Sequence, residues 1–426
     1  MQRRNSRAIA AWASYDWANS AFTTLVVTFI YAAYFSGAFA STPERGTQLW
    51  SYGIIVSALL IAILSPILGA VADQRGLRRR YMLIATVICV LFTALLTFVR
   101  PGTPNAVLKA LSIFVVANVA FEVAMVFYNA FLPSLTGPDR MGRVSAIGWS
   151  VGYAGGLLCM LIALLGFVSD EPWFGLSAAE GFQYRATNLL VAAWFAVFSL
   201  PMFLWVRDDA GITSRLGIRA TAAGLLDTFR SLRRYRETFR FLIARLIYND
   251  GLVTIVAFGS IYAMGTFGMG LQEVTLFGIV LNVAAGLGAF AFGYVDDRIG
   301  GRNTILISLV ALSVAVTIAA VAPSKLWLWV AAIVIGLFLG PNQSASRSLM
   351  GRFTPESHKS EFFGFYAFSG KATAFAGPLI LGQLAVQAGQ RVALSSIIAF
   401  FVLGGLLLLG VDEATGERAA RSPKPS

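Results

Sequence analysis

The sequence has few of the residues on which enzymes and disulfide-rich proteins depend. It contains two cysteines, Cys89 and Cys159, and one histidine, His358. Both cysteines lie inside apolar runs and the histidine has no histidine or cysteine neighbour, so neither a disulfide framework nor a metal cluster is expected. The sequence also has no Gly-x-x-x-x-Gly-Lys-Ser/Thr loop, which argues against a function driven directly by ATP. We therefore expect no cofactor and no metal.

Charged residues are scarce as well. They make up 13% of the chain and hydrophobic residues make up 57%, whereas soluble domains carry about 25% charged residues. A chain with this composition is expected to lie in a lipid bilayer. The net charge of +12 does not indicate a nucleic-acid partner, because the lysines and arginines are confined to short segments between apolar runs.

Twelve apolar runs are long enough to cross a bilayer as helices, since one span needs about 20 residues. The predicted spans are 10–36, 48–72, 81–99, 106–134, 144–168, 187–206, 239–264, 272–295, 304–322, 326–350, 362–389 and 392–411. Of the 33 lysines and arginines, 24 lie on one side of this arrangement and six on the other, which predicts that both termini are cytoplasmic. The sequence thus predicts an all-α, multi-pass integral membrane protein.

A short charged segment occurs twice, each time between two apolar runs. The matched positions are Gly69, Asp73, Gly76 and Arg78 in the first copy and Gly293, Asp297, Gly300 and Arg302 in the second. A repeat of this kind indicates two related halves. We predict an N-terminal six-helix bundle at 1–206, a cytoplasmic linker at 207–238, a C-terminal six-helix bundle at 239–411 and a disordered cytoplasmic tail at 412–426.

These features resemble the major facilitator superfamily, whose signature turn between the second and third helices has the same spacing of Gly, Asp, Gly and Arg. Two further segments are similar to its vacuole-effluxer-like branch, related to the yeast autophagy-associated vacuolar amino-acid exporter: 15–22, Tyr-Asp-Trp-Ala-Asn-Ser-Ala-Phe, and parts of 343–366. The resemblance implies two pseudo-symmetric six-helix bundles, transport of a small solute such as an amino acid, function as a monomer and a place in a bacterial inner membrane.

The repeated turn also carries a structural prediction. Its first glycines permit close approach of neighbouring helices. Asp73 and Asp297 can accept hydrogen bonds from free backbone amides at the start of an adjacent helix, and Arg78 and Arg302 can hold acidic groups across the bundle interface. We predict a conformational latch, and the resemblance implies that it stabilises the outward-facing state. The alternative is that the turn only determines orientation.

Ionisable side chains at the centre of a span cost roughly 2.5 to 3.5 kcal/mol each, so they are expected to face a cavity or a partner. The predicted spans contain six, Asp16, Glu122, Asp250, Arg245, Arg347 and Lys371. The three acids are candidates for proton coupling, with Glu122 first because it lies near the middle of its span. Lys371 is the first candidate for binding an anionic substrate group or for pairing with Glu122 or Asp16.

Polar residues in the first half complete one side of the expected solute path. Asp16, Asn19, Ser20 and Thr23 form a stripe along one face of the first span, which is expected to face the path. The fourth span repeats the pattern with Asn118, Glu122 and Asn129. Gly148, Gly152 and Gly156 recur every fourth residue of the fifth span and predict a close helix contact.

The second half contributes a matching set. Arg245, Tyr248 and Asn249 share one face of the seventh span. In the tenth span, Asn342 and Gln343 follow Pro341, which is expected to kink the helix and free backbone carbonyls near a binding site. Arg347 either binds solute or extends its charged group to the cytoplasmic surface.

The leading hypothesis is a secondary transporter that moves a small polar or zwitterionic solute, coupled to protons, by rocking one bundle against the other. The abundance of phenylalanine, 33 residues, leaves export of amphipathic compounds or lipids as an alternative. An enzyme is not expected, because the apolar runs hold no convergent nucleophile and base. A receptor or assembly factor with this fold is the alternative from another class, although a passive scaffold has little reason to keep buried charges.

Overall fold

The structure is a computed structural model that describes residues 2–169, 171–176, 181–208, 235–374 and 376–421. Within these residues it contains helices and no strands. The α-helices are α1 (Gln2–Ala21), α2 (Tyr31–Ala38), α3 (Pro43–Arg75), α4 (Arg78–Leu96), α5 (Ala106–Ala130), α6 (Leu132–Leu135), α7 (Met141–Ala163), α8 (Phe182–Trp205), α9 (Arg236–Phe267), α10 (Leu271–Ile299), α11 (Gly301–Val321), α12 (Lys325–Arg352), α13 (Lys359–Lys371), α14 (Ala376–Ala388), α15 (Gln390–Leu409) and α16 (Glu413–Arg421). Two π-helices, Phe22–Phe29 and Leu164–Val168, extend α1 and α7.

Eleven helical segments in the described chain are long and apolar enough to cross a membrane. The predicted eleventh span is not one of them, because α13 ends at Lys371 and α14 begins at Ala376. A continuous span at 362–389 is therefore wrong. At this break the side-chain amide of Asn249 donates to the carbonyl of Gly370 at 3.1 Å, so α9 binds the end of α13.

Pro341 does not interrupt its helix, and α12 runs through it from Lys325 to Arg352. A proline leaves the carbonyl four residues earlier without a helical donor, in this case that of Leu337. Gly288 of α10 packs directly against this carbonyl. The carbonyl that Pro341 frees therefore lies at a close helix contact, and the helix break occurs in the eleventh span.

The contacts divide the chain into two compact units. The first unit comprises Met1–Leu64, Leu77–Tyr128 and Val151–Ala210, and the second comprises Ser65–Gly76, Asn129–Ser150 and Gly211–Ser426. The second unit thus combines the second half of the sequence with two segments of the first half, and one of these carries Gly69, Asp73 and Gly76. Most of the predicted linker at 207–238 lies outside the described residues, and the predicted bundle boundaries stay a prediction.

In the first unit α7 packs closely against the first span. A side-chain carbon at Gly152 would lie 2.8 Å from the hydroxyl of Ser20, and one at Gly156 would lie 2.7 Å from that of Thr24. The close contact predicted for these glycines is confirmed. Part of the polar stripe of α1 therefore lies against α7, because the missing glycine side chains leave room for small hydroxyl groups. That the stripe faces a solute path stays a prediction.

The segment after the last span folds as α16, so the predicted disordered tail is wrong for Glu413–Arg421. The carboxylate of Glu413 accepts hydrogen bonds from the backbone amides of Gly301 and Arg302, both at 3.0 Å, at the start of α11. Gly416 packs against the ring of Phe353. These contacts give a polar segment a defined docking place, which its composition alone does not reveal.

We expect Glu413→Gln to lower the free energy of unfolding by about 1–2 kcal/mol, because the amide loses the charge that binds the start of α11. Thermal unfolding of the purified protein in detergent measures this effect. Glu356→Gln is the control, since Glu356 is exposed. Equal stabilities for the two variants would contradict the docking of α16.

Candidate functional site

The polar face of α9 binds α12 and α13 within the second unit. The guanidinium of Arg245 donates to the carbonyl of Tyr366 at 2.7 Å and to the hydroxyl of Ser369 at 2.8 Å, and lies 3.6 Å from the centre of the Tyr366 ring. The hydroxyls of Tyr248 and Ser346 are 2.8 Å apart. Together with the bond from Asn249 to Gly370, these contacts fix α9 beside the end of α13.

Two cationic side chains lie at this end of α13. Arg245 is half-buried against it, and Lys371, also half-buried, is its last residue. The C-terminal end of a helix dipole favours positive charge. The broken span thus holds two positive groups at the C-terminal end of α13, which is an arrangement suited to an anionic group of a solute.

The absence of a side chain at Gly370 permits the approach of Arg245. A side-chain carbon there would lie 2.8 Å from Nη1 of Arg245. We expect Gly370→Ala to displace this flexible side chain and lower the affinity for solute roughly tenfold, the effect of losing one charge-assisted hydrogen bond. Equilibrium binding to the purified protein measures the change. Gly382→Ala, in α14, is the matched control because no atom lies within 4 Å of its side-chain position; a loss of affinity in both variants would contradict the prediction.

Asn342 provides a buried acceptor on α12. The side chain is inaccessible to solvent, and its amide donates to the hydroxyl of Ser308 at 2.8 Å. Its side-chain oxygen has no hydrogen-bond partner among the described residues. An unsatisfied buried acceptor costs about 1–3 kcal/mol, so this oxygen is suited to a donor supplied by a solute or a water. Its neighbour Gln343 is half-buried.

The three candidate proton carriers have different surroundings. Asp16 is buried in the first unit and accepts a hydrogen bond from Asn19 at 3.2 Å. Glu122 is half-buried on α5, one turn after the buried Asn118. Asp250 is buried on α9 in the second unit. The structure brings Asp16 and Asn19 together, and the choice of proton carrier stays a prediction.

Arg347 does not extend to a membrane surface, so that interpretation is wrong. It is 2% exposed, and its guanidinium donates to the hydroxyl and the carbonyl of Ser145 at 2.9 and 2.5 Å. It also donates to the side-chain oxygen of Asn129 at 3.4 Å. The segment 129–150 supplies these acceptors, which compensate for the burial of the charge. Arg347 and Asn129 thus bind each other in this structure.

The first repeated turn packs against the start of α13. Gly69 lies directly against the backbone of Ser360, and the carboxylate of Asp73 accepts a hydrogen bond from the amide of Glu361 at 2.9 Å. Gly76 has a φ of 62° and ends α3 in the left-handed conformation that glycine favours. The contact expected between Asp73 and a helix start is present.

The second turn makes the equivalent contact with the start of α7. Gly293 packs against Ala146, and Asp297 accepts hydrogen bonds from the amides of Gly142 at 2.9 Å and Arg143 at 3.4 Å. The side chain of Arg143 also pairs with this carboxylate. Each repeated aspartate therefore binds the first turn of another helix.

The arginine of the second turn does not bind an acidic group through its side chain, and that prediction is wrong for Arg302. Its guanidinium donates to the carbonyls of Leu408 at 3.2 Å and Leu409 at 2.7 Å. These carbonyls lie in the last turn of α15, where the negative end of the helix dipole attracts a cation. Arg78 is the first residue of α4 and is buried.

Arg352, which the sequence analysis counts only toward orientation, lies at the centre of an acidic cluster. Its guanidinium is 4% exposed and pairs with Asp296 at 2.7 Å, Glu413 at 3.1 Å, Asp297 at 3.6 Å and Glu417 at 3.9 Å. The Asp296-Asp297 doublet and the i,i+4 pair of glutamates are the sequence signals that could have indicated it. We call Arg352 and these four acids the Arg352 cluster.

A search against protein families decides the assignment. The profile described as vacuole effluxer Atg22 like matches residues 47–421. The chain belongs to the Atg22-like family. A similar relative is the MFS-type transporter YxiO of Bacillus subtilis (strain 168), 30% identical over 424 residues that cover 97% of each chain. Autophagy-related protein 22 of Coccidioides immitis (strain RS) is 21% identical over 87% of this chain and 73% of the relative.

Solved structures show the fold of this Atg22-like chain. The human organic anion transporter MFSD10 (TETRAN) has a TM-score of 0.76 and 15% identity, with coverage of 95% of this chain and 99% of that one. The proton:xylose symporter XylE has a TM-score of 0.75 and 13% identity, with coverage of 98% of both. The fold is thus the twelve-helix major facilitator fold, and the Atg22-like chain is a membrane transporter for a small-molecule solute, not an enzyme.

Proposed function

We propose that this Atg22-like transporter is a secondary active carrier that moves a small zwitterionic solute of the amino-acid type by alternating access, coupled to protons. The description of its family as effluxers supports carriage of a solute across a membrane. A place in a bacterial inner membrane, cytoplasmic termini and function as a monomer complete the proposal.

One observation carries the alternating-access part: both repeated aspartates cap helix starts, Asp73 at Glu361 and Asp297 at Gly142. A carboxylate cap contributes about 1 kcal/mol, strong enough to bias an equilibrium between conformations and weak enough to be released in each cycle. We therefore propose that the two turns form a latch, which holds the cytoplasmic side closed in the conformation described here.

The solute class follows from complementary chemistry. The cations Arg245 and Lys371 lie at the end of α13 and suit a carboxylate, whereas the unsatisfied side-chain oxygen of Asn342 suits an ammonium donor. A zwitterion supplies both groups. Polar side chains on α9, α12 and α13 favour such a solute over a lipid.

Transport into proteoliposomes tests the proposal. The purified protein is reconstituted, and uptake of a panel of zwitterionic amino acids is measured with and without a pH gradient. We expect uptake of at least one amino acid, increased by the gradient and absent from empty vesicles. Uptake that is confined to amphipathic compounds, or absent for the whole panel, would overturn the assignment of solute class.

Glu122→Gln tests proton coupling. We expect this variant to lose the response of uptake to a pH gradient while it retains binding of the solute, because the amide keeps the shape of the side chain but carries no exchangeable charge. Asp16→Asn and Asp250→Asn serve as parallel variants. If the pH response is unchanged in Glu122→Gln but is lost in Asp16→Asn or Asp250→Asn, the acid replaced in that variant is the proton carrier instead.

A further inference from the structure

One buried arginine of the first unit has no acidic partner among the residues that the structure describes. Arg185, in the first turn of α8, is 3% exposed. Its Nη1 donates to the carbonyl of Thr97 at 2.9 Å, and the Thr97 hydroxyl donates back to the Arg185 carbonyl at 3.1 Å. Among the described residues no carboxylate pairs with this guanidinium, and its Nε has no hydrogen-bond partner. Part of the hydrogen-bonding capacity of this charged group is therefore unsatisfied away from water, which costs free energy.

Two further buried polar groups accompany Arg185. Asn188, three residues along the same face of α8, is inaccessible to solvent, and both polar atoms of its side chain lack partners in the described chain. Tyr31 of α2 is also inaccessible, and its hydroxyl likewise lacks a partner. The ring of its neighbour Tyr34 stacks on that of Tyr184 in α8, with centres 5.5 Å apart, so Tyr31 lies beside the start of α8. We call Arg185, Asn188 and Tyr31 the Arg185 cluster.

An arginine at the corresponding position of the second unit has a purely structural role. Arg391, at the start of α15, donates to the carbonyls of Ala320 at 2.8 Å and Ala322 at 2.9 Å, and it is exposed. The nearby Tyr262 donates its hydroxyl to the carbonyl of Ala319 at 2.8 Å. Both arginines therefore cap the end of the third helix of their half. Of these two places in the described chain, the Arg185 cluster alone has buried donors without a hydrogen-bond partner.

We propose that the Arg185 cluster binds a small monovalent anion, either chloride or a carboxylate group. The guanidinium Nε, the Asn188 amide and the Tyr31 hydroxyl are all donors, and the positive end of the α8 dipole adds to their potential. A water that accompanies the anion supplies the donor that the Asn188 side-chain oxygen needs. The rings of Tyr34 and Trp50, whose centres lie 6.2 and 6.0 Å from that of Tyr31, form apolar walls.

The thermal unfolding of the purified full-length protein tests this site. The unfolding temperature is measured against increasing sodium chloride or sodium acetate, with sodium gluconate at the same ionic strength as the reference, because the gluconate chain is too large for a buried site. A ligand that binds only the folded state raises the unfolding temperature with its concentration. We expect a saturable rise with chloride, acetate or both, and the anion that acts identifies the ligand.

Variants locate the effect. In Arg185→Gln the anion concentration that gives half of the rise should increase at least about tenfold, as expected for loss of a charge-assisted hydrogen bond. Arg391→Gln is the matched control and should retain the wild-type response. The same loss in both variants, or identical unfolding temperatures of the wild type in all three salts, would overturn the proposal.

Arg185→Gln also removes the bond to Thr97 and can therefore prevent folding, so two milder variants complete the test. Asn188→Leu and Tyr31→Phe remove groups that have no partner in the described chain. We expect both proteins to fold, Asn188→Leu to be at least as stable as the wild type in gluconate, and both to show a reduced response to the anion. A full response in both variants would refute the Arg185 cluster as the site.

Discussion

Replacement of Arg352 by methionine is expected to lower the free energy of unfolding by about 3–5 kcal/mol, because it leaves acidic groups buried without their cation. Asp296 is 1% exposed and depends on this guanidinium, as well as on the hydroxyl of Ser348, for compensation of its charge. The methionine retains most of the volume of the side chain, so the effect reports on charge. Thermal or chemical unfolding of the purified protein gives the difference.

Arg298→Met is the matched control for this experiment. Arg298 lies on the same helix as Asp296 and is exposed, so its loss should change the stability by less than about 0.5 kcal/mol. Restoration of stability in a double variant, Arg352→Met with Asp296→Asn, would show that the cost comes from the unpaired acid. Equal stabilities of Arg352→Met and Arg298→Met would refute the Arg352 cluster as a structural element.

Gly69→Val is expected to open the first turn of the latch. The added side chain would collide with the backbone of Ser360, which cannot move aside as a side chain can. Overpacking of this kind costs about 1–3 kcal/mol, which corresponds to a shift of roughly 5- to 150-fold between two conformations when only one contains the contact. The shift should favour the conformation in which residues 65–76 separate from the start of α13.

Cysteine labelling measures this shift. In a background with Cys89→Ala and Cys159→Ala, the reporter Ser360→Cys replaces a fully buried side chain. Its rate of reaction with a maleimide should rise at least about fivefold in Gly69→Val. Gly37→Val is the control, because Gly37 has no atom within 4 Å of its side-chain position. Equal labelling rates in the two variants would argue against a latch at Gly69.

The sequence predicts the helical segments and the caps of the repeated turns for local reasons. A run of about 20 apolar residues has one stable form in a bilayer. In each repeat an aspartate follows the first glycine by four residues and therefore lies near the end of a helix. There its carboxylate can accept hydrogen bonds from the free backbone amides at the start of a neighbouring helix. Asp73 and Asp297 both make such bonds, and the position of each is fixed by the repeat.

The features that the sequence does not predict depend on partners distant along the chain. The end of α13 is bound by Asn249, which donates to the carbonyl of Gly370 across more than a hundred residues. The interaction of Arg302 with the end of α15 is equally non-local. Hydropathy records how apolar a segment is, and it contains no information about which side chain reaches which carbonyl.

The burial of Arg347 shows the same limit within the candidate site. Its position near one end of a span is compatible with a side chain that reaches water. Acceptors on Ser145 and Asn129, brought close by packing in the second unit, make the buried position favourable. The depth of a charged residue near a helix end therefore does not show whether its side chain is buried or reaches water.

The docking of α16 has a consequence for biosynthesis. Because the ribosome adds Glu413 and Glu417 more than a hundred residues after Asp296 and Asp297, the acids around Arg352 are incomplete until α15 has been synthesised. The start of α11, which Glu413 caps, likewise awaits the synthesis of α16. A nascent chain that stalls before Glu413 would therefore hold Arg352 with only two of its four acids.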